Sequence, residues 1–193
     1  MRLFVAAYPP PEVCDDLALR LDGLRVSAAA RQGVNIRLAR RETWHVTLAF
    51  LGEVPDERAP AVSEALRRTA DGWRAAGSGA PRLRLSGGGR FGRGRFTVLW
   101  VGVDGDLDAV QRLSKQVRRE FKRDRLPYDE RPFKPHLTVA RPGERLDPAE
   151  VAADREDLAG YHGPQWSVDS MVLVRSHLGP QPTYDHLSAW PLA

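Results

Sequence analysis

One tripeptide pattern occurs twice in this 193-residue chain, at His45-Val46-Thr47 and at His136-Leu137-Thr138. Each lies in an apolar run, Trp44 to Phe50 and Pro135 to Arg141, and the two starts are 91 positions apart, close to half the chain. Runs of this kind are strand-like, and a strand repeats its side-chain direction every second residue. The His and Thr of each triplet therefore share one face, while Val46 and Leu48, like Leu137 and Val139, turn towards a core. Ala49 and Ala140 come next on the polar faces and leave room beside the imidazole. With five His and six Thr in the chain, only about 0.2 such triplets arise by chance. Two in matched surroundings point to a duplicated unit that sets a His–Thr pair on a rigid strand. The bland alternative is a pair of half-buried strands whose His and Thr simply face water.

The rest of the chain reads as strands and helices in alternation. Arg2 to Tyr8 is a strand stopped by Pro9-Pro10-Pro11, and Val13, Leu17, Leu21 and Leu24 predict a helix over 11–27. The first motif strand covers about 44–51. Val62, Leu66, Thr69 and Trp73 mark a second helix, and Val110, Leu113, Val117 and Phe121 a third. Arg82 to Leu85 and Phe96 to Val103 are strands, and the second motif strand covers 136–141. Asp147 to Glu150 starts another helix, Trp166 to Val174 is a long strand, and Thr183 to Trp190 the last one. The order β-α-β-α-β-β-α-β-α-β-β predicts an α+β fold. We expect one bilobal domain over 1–193: two antiparallel-type sheets with outer helices flank a central cleft, in pseudo-two-fold duplication, and each sheet supplies one motif strand. The first and last strands can pair, so the lobes need not be halves of the sequence.

Composition excludes some functions. The hydrophobic share of 42% and charged share of 28% suit a globular protein. No apolar stretch approaches the ~20 residues of a membrane span, so no membrane partner is expected. Cys14 is the sole cysteine, which precludes an internal disulfide and fits a reducing, cytoplasmic setting. A net charge of +4, with 26 of 29 basic residues arginine, admits an anionic partner without requiring one. Gly87-Gly88-Gly89-Arg90-Phe91-Gly92 matches G-x-G-x-x-G, but a dinucleotide site needs a helix after the glycines. Strand-like residues follow instead, so we expect a flexible hairpin-type loop whose Arg90, Arg93 and Arg95 touch phosphates. His45 and His136 lack the further ligands that zinc needs, and no metal and no cofactor are expected. His162, His177 and His186 read as surface residues, the last two flanking the turn-rich Gly179-Pro180-Gln181-Pro182.

An imidazole titrates near 6.5, so of two histidines one can hold a proton while the other accepts one. Displacement at phosphorus uses that asymmetry: one imidazole deprotonates water and the other protonates the departing oxygen. Thr47 and Thr138 can donate hydrogen bonds to non-bridging phosphate oxygens. An acyl-transfer reading lacks a nucleophile, because His45 and Thr47 point side by side.

These motifs resemble the paired H-x-T-x signatures of the 2H phosphoesterase superfamily. Arg2 to Ala6, Leu48 to Val54, Val98 to Val103, Arg131 to His136, and Leu173 to Ser176 with Gly179 and Tyr184 are similar, more narrowly, to the RNA 2′,3′-cyclic phosphodiesterases formerly called 2′-5′ RNA ligases. The resemblance implies metal-independent hydrolysis of RNA 2′,3′-cyclic phosphate ends to 2′-phosphomonoesters, with reverse 2′-5′ ligation allowed by microscopic reversibility. It implies His45 as proton donor, His136 as proton acceptor, and an RNA or oligonucleotide with a cyclic phosphate end as partner. The near-symmetry of the motifs leaves those two roles exchangeable on chemistry alone. Arg131 and Arg141 are carried over as substrate contacts, although strict alternation turns Arg141 away from His136; Lys134 joins them because it shares the parity of His136 across Pro135. A monomer is expected. Two alternatives are a phosphodiesterase of small cyclic nucleotides or ADP-ribose cyclic phosphate, and an RNA-binding protein without turnover.

Overall fold

The computed structural model describes residues 1–179 and 181–193; Pro180, in the expected turn-rich connection, lies outside the described residues. In chain order the elements are β1 (Arg2–Ala7), α1 (Pro11–Asp22), α2 (Arg25–Arg31), β2 (Arg37–Leu38), β3 (Val46–Glu53), α3 (Ala59–Ala75) and β4 (Arg82–Phe91). Then follow β5 (Val98–Gly105), α4 (Leu107–Arg123), β6 (His136–Arg141), α5 (Pro148–Ala159), β7 (His162–Ser167), β8 (Ser170–His177) and β9 (Thr183–Pro191). They form two sheets, β3-β1-β8-β9 and β2-β6-β5-β4-β7. Every pairing between described strands is antiparallel. One motif strand lies in each sheet, which gives the expected α+β architecture with a duplicated pattern. The sheets are not halves of the sequence: β1 pairs with β3 and β8, and β9 pairs with β8 rather than β1.

Helices cover the outer faces. α3 and α4 pack on each other and on the first sheet, while α1 and α5 pack on the second. The predicted stripes Val62, Leu66, Thr69, Trp73 and Val110, Leu113, Val117, Phe121 are all buried. Leu3 and Val5 bury on the same side of β1, whereas Phe4 and Ala6 turn to the opposite face and cluster with Val172 and Val174.

Three expectations change. The helix predicted over 11–27 breaks at Gly23, and a second helix begins because the fully buried Asp154 of α5 accepts the N–H groups of Arg25 and Val26 at 2.8 and 2.9 Å. A buried carboxylate that caps a helix start in this way satisfies donors the helix cannot. The long strand over 166–174 is two strands, because the chain crosses from one sheet to the other at Val168-Asp169; Val168 N–H donates to Pro81 O and Leu192 N–H to Asp169 O, each at 2.8 Å. The glycine run is not a hairpin loop, because Gly87 to Gly89 lie inside β4. A Cβ on Gly88 would stand 2.4 Å from Leu158 Cβ of α5, and one on Gly89 would stand 2.1 Å from the Trp100 indole. These glycines admit a helix on one face and a tryptophan on the other.

Candidate active site

His45 immediately precedes β3 and His136 opens β6, and the two strands approach each other from opposite sheets. The two imidazoles are held in the same way. His45 Nδ1 lies 2.7 Å from Thr43 O, and His136 Nδ1 lies 2.7 Å from Lys134 O. A carbonyl only accepts, so each Nδ1 carries a proton and each Nε2 is left as the reactive nitrogen. The repeat is thus one of geometry as well as of sequence.

The surroundings are less symmetric. Three aromatic rings surround His45: Phe4 at 4.7 Å, Tyr8 at 5.8 Å and, edge-on, Tyr184 at 5.4 Å between centroids. Phe91 stands edge-on to His136 at 4.8 Å and Trp100 lies at 5.9 Å. Burial pushes His45 down from 6.5 to about 4 against the opposing bond to Thr43, and charge on His136 and His186 lowers it further. His136 is lowered too, by burial first and then by Lys134 and Arg141. Desolvation disfavours the imidazolium, so both rings are neutral at pH 7 while no anion is bound. Thr47 and Thr138 are half-buried on the same strands. Among the described residues neither hydroxyl is engaged with a carbonyl, unlike those of Thr43, Thr69 and Thr97.

Strict alternation fails at the same point in both motifs. Val5 faces Ala49 and Ala6 faces Thr47, so Leu48 is an extra residue in β3. Leu99 faces Ala140 and Trp100 faces Thr138, so Val139 is extra in β6. A bulge places two successive residues on one side. Leu48 with Ala49, and Val139 with Ala140, are accordingly all buried in the main core. The expected alanine space beside each imidazole is therefore absent, and the residue after each alanine emerges on the histidine side. In β3 that residue is Phe50, which packs near Phe4 and carries the Arg2 guanidinium over its ring at 4.7 Å. In β6 it is Arg141, close enough for its charge to add to the burial that lowers His136 and to oppose the burial that raises Tyr184. The objection that alternation raised against Arg141 is removed by the bulge.

Lys134 also reaches the site, its Nζ 4.6 Å from the Trp100 ring centre and 5.4 Å from that of Phe91. Arg131 does not join this group through any contact with a motif residue. Its guanidinium is paired with Asp129, with Nε to Oδ2 at 2.8 Å, and it is largely exposed. Among the described residues no group of three or more His, Cys, Asp or Glu is placed to hold a metal ion, and no helix is long and apolar enough to cross a membrane.

Sequence reasoning missed the aromatic walls. His186 is exposed, as read, but its ring also lies 4.4 Å from that of Tyr8, tilted by 51°, and its charge is felt by His45. The available signal was the alternation Arg2, Phe4, Ala6, Tyr8 opposite Leu3, Val5, Ala7, which gives β1 two usable faces. His162 is exposed, as read, at the start of β7, and its Nδ1 lies 2.8 Å from Ser86 Oγ.

The family model of the 2'-5' RNA ligase superfamily matches residues 9–180. An RNA 2',3'-cyclic phosphodiesterase of Thermus thermophilus is 31% identical over 202 aligned positions, covering 100% of this chain and 90% of the relative. One of Geobacillus stearothermophilus is 34% identical over 152 residues, which take in 78% of this chain but 46% of the relative's length. The crystal structure of the Thermus thermophilus protein TT0787 superposes with a TM-score of 0.74 at 28% identity, covering 100% of this chain and 98% of that one. The chain belongs to the 2'-5' RNA ligase superfamily.

Proposed function

We propose that the protein hydrolyses RNA 2′,3′-cyclic phosphate ends to 2′-phosphomonoesters, using only its own side chains for acid–base chemistry. The observation that carries this reading is the matched pair of His–Thr units, each with Nδ1 locked and Nε2 free. The names of the relatives from Thermus and Geobacillus support the substrate class. The cyclic phosphate rests between Thr47 and Thr138, whose hydroxyls donate to its non-bridging oxygens. His136 Nε2 takes a proton from water as the water oxygen attacks phosphorus. His45 Nε2–H protonates the 3′ oxygen as the P–O3′ bond breaks, which leaves the phosphate on O2′. The bound anion raises the proton affinity of nearby imidazoles, opposing the desolvation that keeps them neutral in the empty site. Lys134 and Arg141 add positive charge on the His136 side.

One observation favours the exchanged roles. His45 has the tighter aromatic enclosure and falls to about 4, which suits a base better than an acid. A phosphodiester with an aryl leaving group separates the two, since departure of an aryloxide needs no proton. The variant lacking the donor keeps turning that substrate over, and the variant lacking the acceptor does not. The reading as a whole is tested with a 2′,3′-cyclic-phosphate oligonucleotide in EDTA. The expected product ends in a 2′-phosphate; a 3′-phosphate or no turnover refutes it.

A further inference from the structure

Several arginines of this chain are held in ion pairs, among them Arg25 with Asp154 and Asp157, Arg67 with Glu64 and Asp71, and Arg68 with Glu120 and Asp124. Others are not, and four of these gather at one end of the second sheet. Among the described residues, Arg90, Arg93, Arg95 and Arg145 have no carboxylate within salt-bridge distance. Arg90 reaches only Gly92 O, at 3.3 Å, and Arg95 lies over the Phe96 ring at 4.8 Å. Arg90, Arg93 and Arg145 line one cavity of about 570 Å³ with Thr97, Glu144 and Asp147. Asp147 is occupied in capping α5, where Ala149 N–H donates to it at 2.7 Å. Three guanidinium groups against two carboxylates leave the cavity positive, and Arg95 adds to that field.

The loop beside this cavity also presents an aromatic ring to solvent. Phe96 is 68% exposed, and among the described residues it is the one aromatic of the exposed large hydrophobic side chains. Such exposure costs hydrophobic free energy, and among the described residues the Arg95 guanidinium is the one cation recorded over the ring. The loop is nonetheless held in shape. Residues 94–96 form a 3₁₀ turn, and the buried Thr97 donates its hydroxyl to Gly94 O at 2.8 Å. Gly92 has φ +68°, and a Cβ there would meet Phe96 O at 2.3 Å.

Both strands leading into this region come from the His136 site. Phe91, edge-on to His136, is followed at once by the loop, and Arg141 is followed by the segment that carries Arg145. At ~3.3–3.6 Å per extended residue, Arg93 lies within ~7 Å of Phe91 along the chain. Unpaired arginines beside an exposed aromatic ring are the arrangement that holds single-stranded nucleic acid, phosphates on the cations and a base on the ring.

We propose that Arg90, Arg93, Arg95, Phe96 and Arg145 form a subsite for the nucleotides that precede the reacting end, so that the substrate is a single-stranded oligonucleotide rather than a lone cyclic nucleotide. This rests on the proposed hydrolysis for its chemistry but not for its binding. The test uses the full chain and an Arg93→Ala/Arg95→Ala/Phe96→Ala variant, all at exposed positions, with folding checked by thermal melting. Fluorescence anisotropy measures the Kd of a labelled single-stranded RNA decamer ending in a 2′-phosphate. Kinetics give the ratio of kcat/KM for a cyclic-ended decamer to that for cyclic 2′,3′-AMP. The variant is expected to bind the decamer about tenfold or more weakly, with a flatter dependence on salt, and its kcat/KM ratio to fall similarly. Unchanged Kd and an unchanged ratio overturn the subsite. Weakened binding without turnover by either protein leaves the subsite standing and refutes the proposed hydrolysis instead.

Discussion

The aromatic enclosure of His45 makes the fold itself sensitive to acid. An imidazole whose affinity for protons falls from 6.5 to about 4 on folding is protonated more readily in the unfolded chain. The unfolded state then binds more protons within that window, so stability is fully present above pH 6.5 and is lost progressively as pH falls towards 4. At about 1.4 kcal/mol per pH unit the loss is on the order of 3 kcal/mol, a large part of the ~5–15 kcal/mol that holds a domain together. His45→Gln removes the titration and keeps a polar side chain in the same place. Urea denaturation of both proteins from pH 7.5 to pH 4 isolates the effect, because carboxylates titrate alike in both. The wild type is expected to lose on the order of 3 kcal/mol more than the variant over this range. Parallel stability curves would refute the desolvation of His45. His136→Gln changes the curve in the same direction, since His136 is also lowered.

Other outcomes follow from the same geometry. With both imidazoles neutral in the free protein at pH 7, kcat/KM is expected to peak on the acid side, between about 4 and 6.5. The kcat profile should lie at higher pH because bound phosphate restores a proton; coincident profiles in steady-state assays would contradict this. Gly89→Ala brings a methyl group to 2.1 Å from the Trp100 ring, an overpacking that costs about 1–3 kcal/mol. Because Trp100 flanks His136, urea titration and turnover should both register that change. Asp154→Ala strips the N–H groups of Arg25 and Val26 of their buried acceptor, with an expected loss of about 1–3 kcal/mol and no change in KM.

Much of this fold was legible because its helices have clear stripes and its motif strands are apolar runs. The run Asp147 to Glu150 marked the start of α5, where the structure shows a capping box. Where the reading went astray, a tertiary contact had overridden the local signal. Gly23 ends α1 only weakly by itself, and it is Asp154, far along the chain, that starts α2. The glycine run looked like a loop because its reason is the packing of Leu158 and Trp100 against backbone, which no local pattern encodes. The motif bulges lie between these cases. Leu48-Ala49 and Val139-Ala140 are adjacent apolar pairs that break the period of two, and they bring Phe50 and Arg141 onto the histidine face. The His–Thr pairs could be read from spacing alone. Their aromatic walls could not, since Phe4, Tyr8 and Tyr184 meet His45 only once β1, β3, β8 and β9 have paired.

The central claim is that two matched His–Thr units, one imidazole giving a proton and the other taking one, act on one phosphate. Its most direct test is turnover of a 2′,3′-cyclic-phosphate oligonucleotide at saturating substrate by His45→Gln and by His136→Gln. Each substitution should lower kcat by about 10²–10⁴. The double variant should be little worse than either single one, as expected for groups that act as a unit. Full turnover by either single variant would contradict the account.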